Sequence, residues 1–249
     1  MTEYKKNEIH ALIIGDEILS GKRKDKHLTH LIDTLNNHNL QISRADYISD
    51  DIQEIKKTLE LKKDVIVFCF GGIGATPDDC TRSAAALAHN KLLTRHPEAK
   101  VLIEKQFGEG AYPKRIIMAD LPEESSLIPN TVNNIPGFFI NQHFFMPGFP
   151  EMAWPMIDWV IANNLLKLGK SKKYEDNSIW LDNVSESSLI DLMDLTQSKF
   201  QTIKIYSLPK MYPKKMLELG VKGEEGYVKD ALNFIKDNLD KMNISWRNI

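Results

Sequence analysis

The stretch that decides the fold is Val65-Ile-Val-Phe-Cys-Phe-Gly-Gly-Ile-Gly-Ala-Thr-Pro-Asp-Asp-Cys-Thr-Arg82. Residues 65–70 are all apolar and begin with three β-branched side chains, which is typical of a strand buried on both faces of a sheet. A glycine cluster, an acidic pair and an apolar run at 84–87, which predicts a helix, follow directly. Open α/β sheets build anion sites in this order, because glycines let the backbone approach an oxyanion and a helix N-terminus offers unpaired N–H groups.

The glycine loop also carries two neighbouring carboxylates, Asp78 and Asp79. Beside a phosphate they would repel the ligand unless a cation lay between them. The loop therefore predicts a bound phosphate together with a divalent metal ion.

The first 90 residues alternate between strand-like and helix-like segments. The expected strands are 9–14, 40–48 and 65–70, and the expected helices are 27–37 and 52–61. Asp50 or Asp51 is expected to cap the second of these helices. The alternation predicts a mostly parallel sheet with helices on both faces, in which ligands bind beyond the carboxyl ends of the strands. Residues 15–17 and 71–79 are therefore expected at the same rim of the sheet.

The predicted order of strands and helices changes twice in the later part of the chain. The pattern predicts a helix around 99–107, strands at 137–140 and 143–146, a helix around 152–166 and a lysine-rich linker at 167–176. Beyond it we expect strands at 178–184, 202–208 and 216–221 and helices at 186–200 and 227–242. This second order is typical of a small α+β layer, with helices on one face of an antiparallel sheet.

Composition excludes several classes of function. The formal net charge of the 249 residues is −2, which gives no reason to expect nucleic-acid binding. The two cysteines form no disulfide or metal framework and fit a reducing compartment. No apolar run approaches the ~20 residues of a membrane span, and the first residues do not have the pattern of a signal peptide. We expect a cytoplasmic protein without a membrane partner.

Several motifs in order resemble the molybdopterin-binding (MoCF) domain superfamily, and most of all the amino-terminal part of the competence/damage-inducible protein A (CinA) family. They are Gly15-Asp-Glu-Ile-Leu-Ser-Gly21, Asp50-Asp51, the loop from Gly71 to Arg82, Pro136-Gly-Phe138 and residues 146–152. The resemblance covers about residues 1–170 and implies a three-layer α/β/α domain with a mostly parallel sheet. Residues 171–249 resemble the small α+β domain that follows it in that family.

The sequence departs from the family at a few points. Ala75 stands where family members often have proline, and Ile73 where leucine is common. The amidohydrolase domain of longer family members would lie beyond residue 249, so deamidation of nicotinamide mononucleotide is not expected. The resemblance implies instead hydrolysis of a dinucleotide pyrophosphate, such as ADP-ribose or flavin adenine dinucleotide (FAD), with Mg²⁺, Mn²⁺ or Co²⁺. It also implies a homo-oligomer.

Asp79 is the leading candidate for the catalytic residue and metal ligand, because superfamily members keep an aspartate near the phosphates at this position. Asp16 leaves the first strand at the same rim and is the second candidate metal ligand. The alternatives are a helix cap for Asp79 and an ordinary loop acid for Asp16.

Further candidates would contact the phosphates or border the ligand pocket. They are Gly71, Gly72, Gly74, Thr76, Asp78, Thr81, Arg82, Gly148 and Pro150. The alternatives are a tight turn for the glycines, a cap or solvated charge for Asp78, a surface salt bridge for Arg82 and a purely structural turn at 148–150. The basic run Lys22-Arg-Lys24 is interpreted as solvated. None of these residues is an obvious general base.

Three functions remain open at this point. The first is a metal-dependent pyrophosphatase acting on an adenine dinucleotide, and the second is a binding module for a pterin or nucleotide linked to molybdenum cofactor metabolism. The third is adenylyl transfer to molybdopterin, which the motif details favour least.

Overall fold

The computed structural model describes residues 8–166, 174–210 and 215–249. The chain divides into two compact units, residues 1–169 and 170–249. Of the predicted linker at 167–176, residues 167–173 lie outside the described residues, and a strand begins at Tyr174. In the described part of the chain, no helix is both long and apolar enough to cross a membrane.

The first unit contains eight strands and six α-helices within its described residues. The strands are β1 (Ile9–Ile14), β2 (Ile42–Ile48), β3 (Ile66–Phe70), β4 (Leu93–Arg95), β5 (Asp120–Pro122), β6 (Ser126–Ile128), β7 (Gly137–Ile140) and β8 (His143–Met146). The helices are α1 (Asp16–Leu19), α2 (His27–Asn37), α3 (Ile52–Leu61), α4 (Thr81–Ala88), α5 (Pro97–Phe107) and α6 (Pro150–Val160).

The central sheet has six strands in the order β2-β1-β3-β8-β7-β6. Strands β2, β1, β3 and β8 are parallel, and β7 and β6 continue the sheet antiparallel. The prediction of a mostly parallel sheet is therefore confirmed. The short strands β4 and β5, which pair separately, and the edge strand β6 were not predicted from the sequence.

Alternate residues of the central strands supply two apolar cores, one on each face. Leu12 and Ile14 of β1 belong to one core, together with residues of α3, α4 and α5. Ala11 and Ile13 belong to the other, together with residues of α2 and α6. Because side chains of a strand point alternately to opposite faces, a strand between two helix layers must be apolar throughout. This explains the uninterrupted apolar run of β3 and that of β1, in which only His10 is polar, and it confirms the three-layer α/β/α arrangement.

The second unit is the predicted α+β layer. Its strands β9 (Tyr174–Asp182), β10 (Ile203–Lys210), β11 (Met216–Glu224) and β12 (Trp246–Asn248) form an antiparallel sheet in the order β10-β11-β9-β12. Helices α7 (Ile190–Lys199) and α8 (Tyr227–Lys241) share one apolar core with it. The helix expected from residue 186 starts as a 3₁₀ turn, Glu186–Leu189, and β12 was not predicted.

The parallel register brings four strand ends to one rim of the central sheet. Ile14 pairs with Ile48, Ile13 with Phe70, and Phe70 with Met146. The segments that begin at residues 15, 49, 71 and 147 therefore leave the sheet side by side. This is the rim at which ligands bind in open α/β sheets.

A buried chain of polar groups lies at the opposite rim. The His143 Nε2 atom lies 3.1 Å from the backbone oxygen of Lys62, an acceptor only, so Nε2 carries the hydrogen. Nδ1 then accepts from His89 Nε2 at 3.0 Å, and His89 Nδ1 accepts from Asn141 at 3.2 Å. Both rings are neutral in this arrangement, and burial lowers the pKa of His143 to about 4.

The depressed pKa of His143 predicts that stability falls in mild acid. An unfolded histidine with an ordinary pKa near 6.5 binds a proton at a pH where the folded one does not. The contribution of the neutral His143 to the free energy of unfolding is fully present above about pH 6.5. It decreases by about 3 kcal/mol as the pH falls towards 4. Urea unfolding between pH 7.5 and 5 measures it. His143→Gln should reduce the pH dependence, whereas the exposed His38→Gln should leave it unchanged; equal slopes in the two variants would contradict the assignment.

Candidate functional site

A cavity of about 440 Å³ opens at the rim where the parallel strands end. Its floor is apolar and includes Ile13, Phe70, Met118, Ile135 and Met152. Its polar and charged lining consists of Glu17, Arg23, His27, Asp50, Thr76, Asp78, Asp79, Asn130 and Asn133, and the glycines of the loop complete the wall. The cavity therefore joins an apolar floor to a wall that carries four carboxylates, which suits a planar group attached to a cation-bound anion.

The three glycines of the predicted phosphate loop all line the cavity, and each is also required by its own surroundings. Gly71 and Gly72 have φ angles of 105° and 67°, which favour glycine. A Cβ atom would lie 2.2 Å from the Ile14 carbonyl oxygen at Gly71 and 2.6 Å from Asp79 Oδ2 at Gly74. The internal packing of the loop thus accounts for its glycines, and their phosphate role rests on their position in the cavity wall.

Asp79 closes the loop on itself instead of capping the next helix. Its Oδ2 atom accepts hydrogen bonds from the backbone N–H of Thr76 at 2.8 Å and from the Thr76 hydroxyl. Helix α4 follows Cys80, which makes no side-chain cap bond. Asp79, Thr76 and the exposed Asp78 all line the cavity, and hydrogen bonding to Thr76 lowers the pKa of Asp78. Asp78 is therefore ionised at neutral pH.

Asp50 occupies the place in the cavity wall that the sequence analysis gave to Asp16. The Asp16 side chain does not line the cavity, but its backbone N–H donates to Asp50 Oδ2 at 2.9 Å. Burial raises the pKa of Asp50, the Asp16 N–H opposes that shift, and the negative charges of Asp16, Glu17 and Asp78 add to it. Its neighbour Asp51 caps α3 by accepting from the Glu54 N–H at 2.8 Å. Asp51 is therefore the N-cap of α3, and Asp50 faces the cavity.

Thr81 and Arg82 are buried behind the loop and do not line the cavity. The Thr81 hydroxyl donates to the Gly71 carbonyl at 3.0 Å. The Arg82 guanidinium donates to the carbonyls of Gly74 at 2.7 Å, Asp120 at 3.2 Å and Ile117. Both side chains therefore support the glycine loop from the inside. Instead of forming the surface salt bridge considered above, Arg82 donates hydrogen bonds to three backbone carbonyls.

The turn after β8 contributes a close backbone contact. Gly148 lines the cavity, and a Cβ atom there would lie 3.6 Å from the Cα of Gly71. Pro150 is the first residue of α6 and does not line the cavity, whereas Phe149 does. The predicted border of the pocket is thus formed by Pro147, Gly148 and Phe149.

Arg23 and His27 are among the lining residues that the sequence analysis missed. Arg23, interpreted as part of a solvated basic run, lines the cavity, and its guanidinium carbon lies 5.6 Å from the centroid of the Phe149 ring. His27 is buried and stacks on Phe70 with ring centroids 4.6 Å apart. Burial lowers the pKa of His27, so the ring is neutral at pH 7. Nothing in the spacing of the sequence separates Arg23 from its neighbouring lysines.

The carboxylates of the cavity suit a cation that the ligand itself helps to bind. Within the described ranges, no three histidine, cysteine, aspartate or glutamate side chains are grouped closely enough to hold a metal ion by themselves. Mg²⁺ keeps several waters and usually takes one or two carboxylates together with substrate phosphates. Asp79 and Asp78, which follow each other in the cavity wall, fit that role.

Substitutions of the two aspartates at 50 and 51 should have unequal effects on stability. Asp51→Ala removes the cap of α3 and should lower the free energy of unfolding by about 1 kcal/mol. Asp50→Asn keeps an acceptor for the Asp16 N–H and removes a crowded charge, so it should change that free energy by less than about 0.5 kcal/mol. Chemical denaturation of both variants checks this; a larger loss in Asp50→Asn would show that the assignment is reversed.

Removal of the buried guanidinium should destabilise the first unit. Arg82→Met leaves three carbonyls without their donor and should cost about 3 kcal/mol. Arg115→Met removes an exposed arginine that donates to a single carbonyl and lies over the Phe107 ring, and it is the control, with an expected loss below about 1 kcal/mol. Thermal or urea unfolding compares them, and similar losses in the two variants would refute the supporting role.

Comparison with known proteins places the chain in a family. The family described as "Probable molybdopterin binding domain" matches residues 10–167. Protein PF0476 of Pyrococcus furiosus is 27% identical over 253 residues, covering 94% of this chain and 98% of its own length. A CinA-like protein of Geotalea uraniireducens is 26% identical, covering 88% of this chain, but the chain spans only 54% of that relative.

A solved structure agrees with the fold. The crystal structure of the protein CinA, of unknown function, from Thermoplasma acidophilum matches with a TM-score of 0.58 at 25% sequence identity. The match covers 63% of this chain and 98% of the other. Since the family match spans well over half of the residues and coincides with the α/β/α unit, the chain belongs to the probable molybdopterin-binding domain family.

Proposed function

We propose that this protein hydrolyses the pyrophosphate bond of an adenine dinucleotide, ADP-ribose-like or FAD-like, with a divalent cation. One observation carries the proposal: Glu17, Asp50, Asp78 and Asp79 line the same cavity as the glycine loop. Burial raises the pKa of Asp50, and the negative charges of Asp16, Glu17 and Asp78 add to that shift. A cation bound with the pyrophosphate would offset these charges.

Different residues would have different roles in this reaction. The glycine loop would hold the phosphates, and Asp79, with Asp78, would hold the cation; Asp16 contributes through its N–H bond to Asp50. When bound, the cation would offset the negative charge that builds on the phosphoryl oxygens. The apolar floor beside Phe70 and Met152 would take the planar base.

Asp50 is the carboxyl best suited to accept a proton from the attacking water. A general base works best when its pKa lies close to the working pH, and the pKa of Asp50 is raised by burial and by neighbouring charges. Water would form a bond to one phosphorus as the bridging P–O bond breaks, and the second phosphate would leave with that oxygen. The water's proton would pass to Asp50. ADP-ribose would give AMP and ribose phosphate, and FAD would give AMP and flavin mononucleotide.

The test is the release of AMP from ADP-ribose and from FAD with Mg²⁺, Mn²⁺ or Co²⁺, against a chelator control. Asp79→Asn and Asp50→Asn should lower kcat by about 100-fold or more, because each removes a charge used in the reaction. Asp51→Ala, which changes only the helix cap, should keep it. For wild type, kcat should fall on the acid side at a pH above the ordinary range of an aspartate, because Asp50 must be ionised to accept a proton.

Two outcomes would reject this function. Equal AMP release with and without chelator would exclude the cation, and full turnover by Asp79→Asn would remove its main residue. Saturable binding of a nucleotide or a pterin without any turnover would support the alternative, a binding module of the molybdopterin-binding type. That alternative is favoured by the family description of residues 10–167. Turnover only with ATP and a pterin acceptor would identify adenylyl transfer.

A further inference from the structure

The described lining of the cavity carries one permanent cation and several acids. Among the described residues that line the cavity, Arg23 is the only lysine or arginine. Glu17, Asp50, Asp78 and Asp79 supply the carboxylates. A ligand with two phosphates entering this cavity meets net repulsion, and Arg23 is the one permanent positive charge on the described wall that offsets it.

The backbone around Arg23 is fixed while its side chain is exposed. The Arg23 N–H donates to the Glu17 carbonyl at 2.9 Å, and the Ser20 N–H donates to the Asp16 carbonyl at 2.8 Å. Gly21, with φ of 73°, makes the turn between them. The guanidinium can therefore move between nearby partners without any change in the chain that carries it.

The present partner of the guanidinium is an aromatic ring that holds it only weakly. The Phe149 ring is 51% exposed and lies 5.6 Å from the guanidinium carbon of Arg23. The Phe149 backbone is fixed, because its carbonyl accepts from the N–H groups of Met152 and Ala153 at the start of α6. An exposed cation–π contact is weaker than a charge-assisted pair with phosphate, so a phosphate within reach displaces it.

We propose that Arg23 is a specificity-determining residue that leaves the face of Phe149 to bind a phosphate of the ligand. The planar fork of a guanidinium matches two phosphate oxygens. With Arg23 bound to a phosphate, the cavity selects phosphorylated ligands over the corresponding nucleosides. Without Arg23, the carboxylates of the wall would attract cations and repel the phosphate. This inference rests on the proposed function in one respect, that the natural ligand carries phosphate.

The same basic run supplies matched controls. Lys22 and Lys24 flank Arg23 and are exposed, but neither lines the cavity. A substitution at either lysine removes the same charge from the same loop and leaves the cavity wall intact. Arg23→Lys keeps the charge but loses the fork and the ring contact. Comparison of these variants separates a direct phosphate contact from a general attraction by the loop.

The experiment measures binding of AMP and adenosine by calorimetry with Mg²⁺ and with chelator; neither probe has the pyrophosphate bond. Arg23→Gln should weaken AMP binding about tenfold and leave adenosine binding within about twofold. Lys24→Gln should change either by less than about twofold, and Arg23→Lys should fall between wild type and Arg23→Gln. Unchanged AMP binding by Arg23→Gln, an equal loss for adenosine, an equal loss in Lys24→Gln, or no AMP binding by wild type would each overturn the proposal.

The two proposals fail separately. If no dinucleotide is hydrolysed but Arg23→Gln still loses AMP selectively, the pyrophosphatase assignment is wrong and the role of Arg23 stands. If hydrolysis is cation-dependent and needs Asp79, but Arg23→Gln binds AMP and adenosine like wild type, the function stands and Arg23 has no part in selecting the ligand.

Discussion

The site depends on the close approach of three strands at Gly71. A Cβ atom at this residue would lie 2.2 Å from the Ile14 carbonyl of β1, and its N–H donates to the Met146 carbonyl of β8 at 3.0 Å. The residue that follows β3 thus contacts both neighbouring strands where they leave the sheet. No other amino acid has the room or accepts the φ angle of 105°. The loops that follow β1, β3 and β8, which supply part of the cavity wall, leave the sheet at this contact.

The side chains that support the glycine loop and the carboxylates that it carries lie on different sides of it. On its inner side, Arg82 and Thr81 donate to the carbonyls of Gly74 and Gly71, and they are buried. On its outer side, the aspartates face the cavity. The loop is therefore held from behind by donors, and its carboxylates lie on the side of the cavity. A buried arginine satisfied by carbonyls is a scaffold for the site although it lies only a few residues from the acids in the sequence.

The sequence predicted the fold well where the physical signal is strong. The apolar residues of β1 and β3, which are buried on both faces, and the helical spacing of α2 and α3 form regular patterns that predicted the layers and the common rim. The short strands β4, β5, β6 and β12 have three residues each, too few to show a period. In the site, the glycines, Thr76 and the acids of the loop were found because they adjoin a strand end. Asp50 and Arg23 were not, because tertiary contacts decide which of two aspartates caps a helix and which of three consecutive cations lines the cavity.

The hydrogen-bonded chain at the opposite rim has a direction. Asn141 donates to His89, His89 donates to His143, and His143 donates to the Lys62 carbonyl, so each ring must present one donor and one acceptor in a set order. A substitution of one histidine changes whether the other must donate or accept the hydrogen bond that they share. The two histidines are therefore coupled, and their substitutions should be non-additive in a double-mutant cycle. A pair of changes that restores the order of donors and acceptors can be tolerated where either change alone is not.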